Sequence, residues 1–342
     1  MAVLAAMAVG SMFAASLAAT PVKGATEVHA ARVIDCSSAD DDRPAVVTGV
    51  AVSADGQTVA AASDDHAVRI WDATSGQLRA QHRGHQDWVR AIAISPDGQM
   101  LASGGNDHNV HFWNATTGAR LFDVPTFGRP VAAVSFHPNN QQLAIVGFCD
   151  QLQIVNTSSG VVSQQLSCPT SELRAIAFSP DGVRMAVAGR NGQIRLWNVI
   201  NGSLERDVTA GRRRIRTLAF SPNSARLAYA GDAATIHVVD LSGASQDVIL
   251  PARPAKIHAA VFLGDHSLAT GGSDNRIRVW DLASRIVTRE LLGHTGTVAA
   301  LACDATGDTL VSGSYDTTLR IWRVTNSHDF PTVAQSVGEG VR

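Results

Sequence analysis

Cysteine is scarce in this chain: four residues in 342, at positions 36, 149, 168 and 303, with no CxxC pair. That excludes a disulfide framework and a cysteine-built zinc centre. Aromatic residues make up 5% of the sequence, and tyrosine occurs twice. An excess of one charge is lacking too, since 28 Lys and Arg face 30 Asp and Glu for a formal charge of −2. The chain as a whole therefore has no pull toward nucleic acid or an anionic membrane, and any such affinity must reside in a local patch. Also missing are the phosphate loops GxGxxG and GxxxxGK[ST], the nucleophile elbow GxSxG and the zinc motif HExxH. No turn carries the spaced carboxylates of a calcium loop. No cofactor and no metal are expected.

What is present is length and apolar residue. At 342 residues and 45% hydrophobic, the chain has the makings of a large core. Residues Met1 to Thr20 stand apart, uncharged and rich in Ala, Val, Leu and Met. They fit the apolar stretch of a secretory signal, with Ser16-Leu17-Ala18 as a small-x-small cleavage site, although basic residues before the stretch are missing. They are also about long enough for one membrane span. An Ala-rich terminus, or the cut end of a longer protein, fits equally. Export or anchoring and a cytoplasmic location are thus both open, and a membrane link would run only through this segment.

A repeat organises the rest. VRIWD, VHFWN, LQIVN, IRLWN, IHVVD, IRVWD and LRIWR place Trp71, Trp113, Val155, Trp197, Val239, Trp280 and Trp322 in one register, at spacings of 42, 42, 42, 42, 41 and 42. Each unit opens with an alternating apolar run such as VRAIAIS, followed by a turn such as Ser95-Pro96-Asp97-Gly98. A short strand (MLASGG, RMAVAG) comes next, then a polar turn, the Trp strand, and a further turn into a fourth strand. Four short strands per unit of about 40 residues read as a propeller blade, and seven units close a ring. The fold class is all-β, a seven-bladed β-propeller with four antiparallel strands per blade.

Gly84-His85 and Gly293-His294, with Trp71-Asp72 and Trp280-Asp281, resemble the signatures of the WD-repeat family. The resemblance covers about residues 27 to 326, leaving 1–26 as an apolar N-terminal segment and 327–342 as a tail. It implies that an N-terminal strand, Glu27 to Ile34, supplies the missing fourth strand of blade 7. It also implies a hydrogen-bonded His–Ser/Thr–Asp–Trp set in each well-made blade. Blade 2 matches with His85, Ser103, Asp107 and Trp113, and blade 7 with His294, Ser312, Asp316 and Trp322. Blade 6 keeps Thr270, Asp274 and Trp280 but has Arg253 in the His place. Blades 3 and 5 lack the Trp and are expected to be softest.

Cys303 occupies a position filled by Val52, Ile94 and Phe136 in other units, and so reads as a core thiol. Cys149 precedes the strand Gln151 to Val155, and Cys168 follows the strand Val161 to Leu166. Pairing those strands brings the two nearly opposite, and in an oxidising compartment they would form a disulfide stapling blade 3; in the cytosol they would be free thiols. Asn114, Asn156 and Asn201 fit the N-glycosylation pattern, but all sit in one hairpin turn whose chemistry explains them.

The resemblance implies a contact surface on the face bearing the loops that lead into each innermost strand, with two residues per blade pointing into it. Those positions give Val46 and Thr48, Trp88 and Arg90, Pro130 and Ala132, Glu172 and Arg174, Arg214 and Arg216, Lys256 and His258, Thr297 and Ala299. With Arg212 and Arg213, blades 4 to 6 form a basic arc suited to an acidic peptide or protein. Trp88 and Arg90 lie two blades away, and Glu172, Glu205 and Asp207 are candidates to neutralise the arc. The expected function is a non-catalytic interaction scaffold, a monomer or a part of a larger complex. The alternative is an exported or anchored propeller binding a small anionic or carbohydrate ligand. Nucleic acid is not expected, because Arg212 to Arg216 lack interleaved aromatics.

Overall fold

The computed structural model describes residues 25–36, 45–168, 172–252 and 255–324. All their regular elements are strands, arranged as seven sheets around a central channel. The innermost strands are Val47–Val52, Val89–Ile94, Val131–Phe136, Leu173–Phe178, Ile215–Phe220, Ile257–Gly264 and Val298–Cys303. From each the chain meanders outward. Blade 1 continues through Thr58–Ser63 and Ala67–Asp72 to Leu78–Arg83.

Packing explains the strand compositions. A second strand such as Met100–Gly105 is buried on both faces because the neighbouring blades cover it. Small residues there let the blades approach. A Cβ on Gly104 would lie 2.5 Å from Val131 of blade 3, and one on Gly313 would lie 2.4 Å from Val47 across the seam where blade 7 meets blade 1. The outermost strands are exposed and polar, as in Val162–Ser167 and Leu204–Thr209, which blunts their open edges. Apolar clusters fill the wedges between blades; one joins Val68 and Ile70 of blade 1 to Val89, Leu101 and Trp113 of blade 2.

Ring closure differs in detail from the expected single strand. The N-terminal segment is split in two. Arg32–Asp35 pairs antiparallel with Thr318–Arg323 and completes blade 7. Thr26–His29 instead pairs parallel with Ile286–Leu292, adding a fifth strand to blade 6. Ile34 and Cys36 bury themselves against Val47 and Trp71 of blade 1, and the Arg32 guanidinium donates to the carbonyls of Thr74 and Ser75 at 2.6 and 2.7 Å. One short segment thus ties three blades. Met1 to Thr20, the residues read as signal or anchor, lie outside the described residues, as does the tail 327–342.

Blades 2 and 7 carry the implied hydrogen-bond chain in full and blade 6 in part, whereas Trp71 and Trp197 of blades 1 and 4 have Ala61 and Val187 in place of the hydroxyl. In blade 2, Trp113 Nε1–H donates to Ser103 Oγ at 2.8 Å, and His85 Nε2 meets the same oxygen at 2.8 Å. His85 Nδ1 lies 2.8 Å from Asp107, which also accepts the Gln86 N–H at 3.0 Å. A carboxylate only accepts, so we assign the proton to Nδ1 and let the Ser103 hydroxyl donate to Nε2. Blade 7 repeats the chain through Trp322, Ser312, His294 and Asp316 at 2.7–2.9 Å. In blade 6, Trp280 donates to Thr270 at 2.9 Å and Asp274 pairs with Arg278 at 2.7 Å; Arg253 lies outside the described residues. Val155 and Val239 are buried in apolar clusters in place of Trp.

Cys149 and Cys168 are free thiols in the structure. The register sets Cys168 opposite Asp150, whose carbonyl accepts its N–H at 2.6 Å, one place beyond Cys149. Cys303 is half-buried, with its thiol 3.1 Å from the Phe262 carbonyl.

Candidate functional site

Every innermost strand carries a β-bulge just after its first residue. Pairing with the second strand skips Thr48, Arg90, Ala132, Arg174, Arg216, His258 and Ala299 in turn. A bulged residue drops out of the ladder and its side chain is re-aimed. Here all seven turn to the channel and line a cavity of about 360 Å3 at its mouth. Further along, the channel lining includes the small residues Gly49, Ala91, Ala133, Ala175 and Ala259.

Two residues before each bulge, a backbone carbonyl accepts an N–H from the turn after the second strand, at 2.9–3.2 Å in every blade. Val46, Trp88 and Arg214 at the first of these positions line the cavity, as do Asp64, Phe148 and Tyr315 at the second. The sequence reading missed that turn position. The same spacing that located the bulges reaches it 16 residues further on, or 15 in blade 6, at 64, 106, 148, 190, 232, 273 and 315.

Of the nine residues expected to bind, Trp88, Arg90, Arg174, Arg214, Arg216 and His258 come together in this cavity. Arg212, Arg213 and Lys256 are exposed outside its lining. The arc is also longer than expected. Blade 3 offers only Pro130 and Ala132 at the positions read from sequence, which left Arg90 of blade 2 isolated. Phe148 of blade 3 closes that gap: its ring centre lies 3.9 Å from the Arg174 guanidinium and 5.3 Å from that of Arg90. Arg90 also stands 5.6 Å over Trp88.

Neutralisation is partial. Glu172 pairs with Arg174 at 3.0 Å and with Arg190 at 2.9 Å, and Asp232 pairs with Arg216 at 2.7 Å. Glu205 and Asp207 serve other cations, Arg184 at 3.0 Å and Arg195 at 3.3 Å. Arg90 Nε donates to the Asn106 amide oxygen. Among the described residues Arg214 has no carboxylate partner, and its buried Nε lacks a hydrogen bond.

The crowding of cations shows in the titrating groups. Burial above all, then Arg216 beside it, pushes His258 down to about 4, so the imidazole is neutral near pH 7. Burial lowers Arg174, and Arg214 and Arg90 add to this against Glu172. Arg174 remains charged all the same, since guanidinium holds its proton across the working range. Such a set of cations has the donors to meet a negative group.

Elsewhere, His85, Asp107 and His111 lie within reach of one ion inside blade 2. Both ring nitrogens of His85 are already engaged, by Asp107 and Ser103, and the cluster belongs to the blade's hydrogen-bond chain.

Comparison with known proteins gives two family matches. The model described as the IFT122 first beta-propeller matches residues 46–274, and that of the WD domain, G-beta repeat, matches residues 285–323. Among individual proteins, the chain is 41% identical over 63 residues to the U3 snoRNP-associated protein-like EMB2271 of Arabidopsis thaliana, covering 18% of this chain and 13% of that one. It is 36% identical over 72 residues to the B-type cell cycle switch protein ccs52B of Medicago truncatula, covering 20% and 15%. It is 44% identical over 54 residues to the anaphase-promoting complex subunit cdc20 of Dictyostelium discoideum, covering 16% and 11%. The aligned stretches thus span only a small part of these relatives.

Proposed function

This chain belongs to the WD-repeat β-propeller family, and from that premise we propose that it is a binding platform without catalytic activity, whose partner presents an acidic peptide segment to the channel mouth. The observation that carries the reading is the convergence of Arg90, Arg174, Arg214 and Arg216 on one cavity of about 360 Å3. Guanidiniums recognise carboxylates by directional, charge-assisted hydrogen bonds, and in a concave, partly desolvated site that attraction is less screened than on an open surface. The chemistry of the lining speaks for binding and against turnover. The Thr48 hydroxyl lies on the backbone carbonyls of Ala62 and Val89, at 3.0 and 2.5 Å. His258, pushed down to about 4, is a weak base. Membership of a larger assembly also fits, since two of the similar proteins are named as U3 snoRNP-associated protein-like and as an anaphase-promoting complex subunit.

The test is fluorescence anisotropy with a labelled peptide rich in Glu and Asp. The native protein is expected to bind it, more weakly as salt rises. The double variant Arg214→Glu/Arg216→Glu is expected to lose at least about tenfold in affinity, with Arg214→Ala intermediate and thermal melting preserved. Equal binding by the folded double variant, or none by the native protein, overturns the reading.

A further inference from the structure

The cavity is two-sided, and its second side is aromatic. Among the described residues, the aromatic side chains in the group of exposed large hydrophobics are Trp88 and Tyr315, at 41% and 51% exposure. Both line the cavity that holds the arginines, and half-buried Phe148 lines it with them. Aromatics are few in this chain, and among the described residues most of the others serve the core, so two left in water at one rim are an unmet contact surface. The rings also shape the cations. Arg90 is held between Trp88 at 5.6 Å and Phe148 at 5.3 Å, and Arg174 lies on the other ring contact of Phe148 at 3.9 Å. A guanidinium fixed against a ring loses less freedom when its N–H groups meet an anion.

Resting on the reading of this cavity as an anion-binding mouth, we infer that it selects a peptide in which a carboxylate side chain adjoins an aromatic or large apolar one. The carboxylate sits among Arg174, Arg214 and Arg216, and the apolar neighbour packs against Trp88 and Tyr315. A cavity of about 360 Å3 holds one or two side chains, and is closed around them by seven blades. A nucleic-acid strand instead needs a groove that tracks its backbone, with bases stacking in series. Exposed Arg212, Arg213 and Lys256 carry positive charge beyond the rim, where acidic residues flanking the anchor would lie.

The experiment uses three labelled peptides of equal length and charge: one with Phe beside the central Glu, one with Ser in place of that Phe, and one with Phe moved to the end. A thymidine oligonucleotide of matching charge completes the set. The first peptide is expected to bind about tenfold tighter than the second, roughly the effect of burying one aromatic anchor. In Trp88→Ala and Tyr315→Ala the ratio of Phe-peptide to Ser-peptide affinity, taken within each variant, is expected to fall to about threefold or less. Both residues are exposed, so neither truncation threatens the fold. If Phe and Ser peptides bind the native protein equally, the inference falls and the acidic-partner reading stands. If no peptide binds, that reading falls too. Oligonucleotide binding as tight as that of the Phe peptide, lost in Arg214→Glu/Arg216→Glu, overturns the peptide assignment.

Discussion

Arg174 and Phe148 belong to neighbouring blades, and the guanidinium carbon of the one lies 3.9 Å from the ring centre of the other. The contact joins the cations of blades 2 and 4 through a blade that carries none at the mouth. It is specific to a planar cation. Arg174→Lys keeps the charge but gives up the stacked plane, and an exposed cation–π contact of this kind is worth about 0.5–1 kcal/mol. Acidic-peptide affinity is expected to fall about three- to fivefold, read by anisotropy. Unchanged affinity would show that charge alone matters at this position.

The hydrogen-bond chains of blades 2 and 7 are expected to be worth most where they are buried. Ser103→Ala leaves both the Trp113 N–H and the His85 imidazole without their partner, at a cost of about 1–3 kcal/mol. Ser312→Ala in blade 7 is expected to cost a similar amount, measured by urea unfolding. In hydrogen exchange of the native protein, amides of blades 3 and 5 are expected to exchange faster than those of blades 2 and 7.

Stability is expected to fall between pH 6.5 and about 4. His258 is held neutral in the folded protein, down to about 4, whereas the unfolded chain takes up its proton near 6.5. A group with a depressed folded pKa contributes stability above its unfolded value and loses it as pH falls through the folded one. Arg216 and Lys256 oppose protonation and Asp232 favours it. Urea midpoints at pH 7.5 and 4.5 are expected to draw closer together in His258→Gln. Burial also lowers His85, which keeps part of the decline in place.

Closure is expected to depend on the second half of the N-terminal segment more than on the first. Among the described residues, a chain starting at residue 32 loses only 25–31 with the parallel strand on blade 6, and its melting temperature is expected to drop by a few degrees, on the order of 1–2 kcal/mol. Ile34→Ala removes a buried side chain from the seam with blade 1 and is expected to cost about 2–4 kcal/mol. A larger loss from the truncation than from Ile34→Ala would reverse this order.

The thiols are expected to react slowly in the native state. Burial pushes Cys36, Cys168 and Cys303 up to about 12 and raises Cys149 as well, so little thiolate exists at pH 8. Half-buried Cys149 is expected to label before buried Cys168 and Cys36. A non-reduced digest of protein passed through an oxidising compartment tests the staple; peptides 149 and 168 found unlinked there would end it.

The period of 42 made the ring legible because Trp, turn and apolar positions must recur wherever blades pack alike. The bulge positions were legible for the same reason, through their resemblance to a known repeat. Phe148 and Tyr315 were not, since they sit in turns whose residues differ from blade to blade, and nothing local marks an aromatic there as facing the channel. The split of the N-terminal strand was also hidden. EVHAARVI reads as one strand, and only the gap between blades 6 and 7 makes Ala30 and Ala31 bridge two sheets.

The seven bulges carry a consequence for how such a protein can change. Because each bulged residue makes no ladder pair with its neighbouring strand, its identity is uncoupled from the blade that presents it. Arg90, Ala132, Arg174, Arg216, His258 and Ala299 are therefore letters that can be rewritten without breaking a ladder pair, whereas the Thr48 hydroxyl also meets the carbonyls of Ala62 and Val89. A lineage, or a designer, could pass from a cationic mouth to an entirely different taste by point changes there, leaving the ring as it stands.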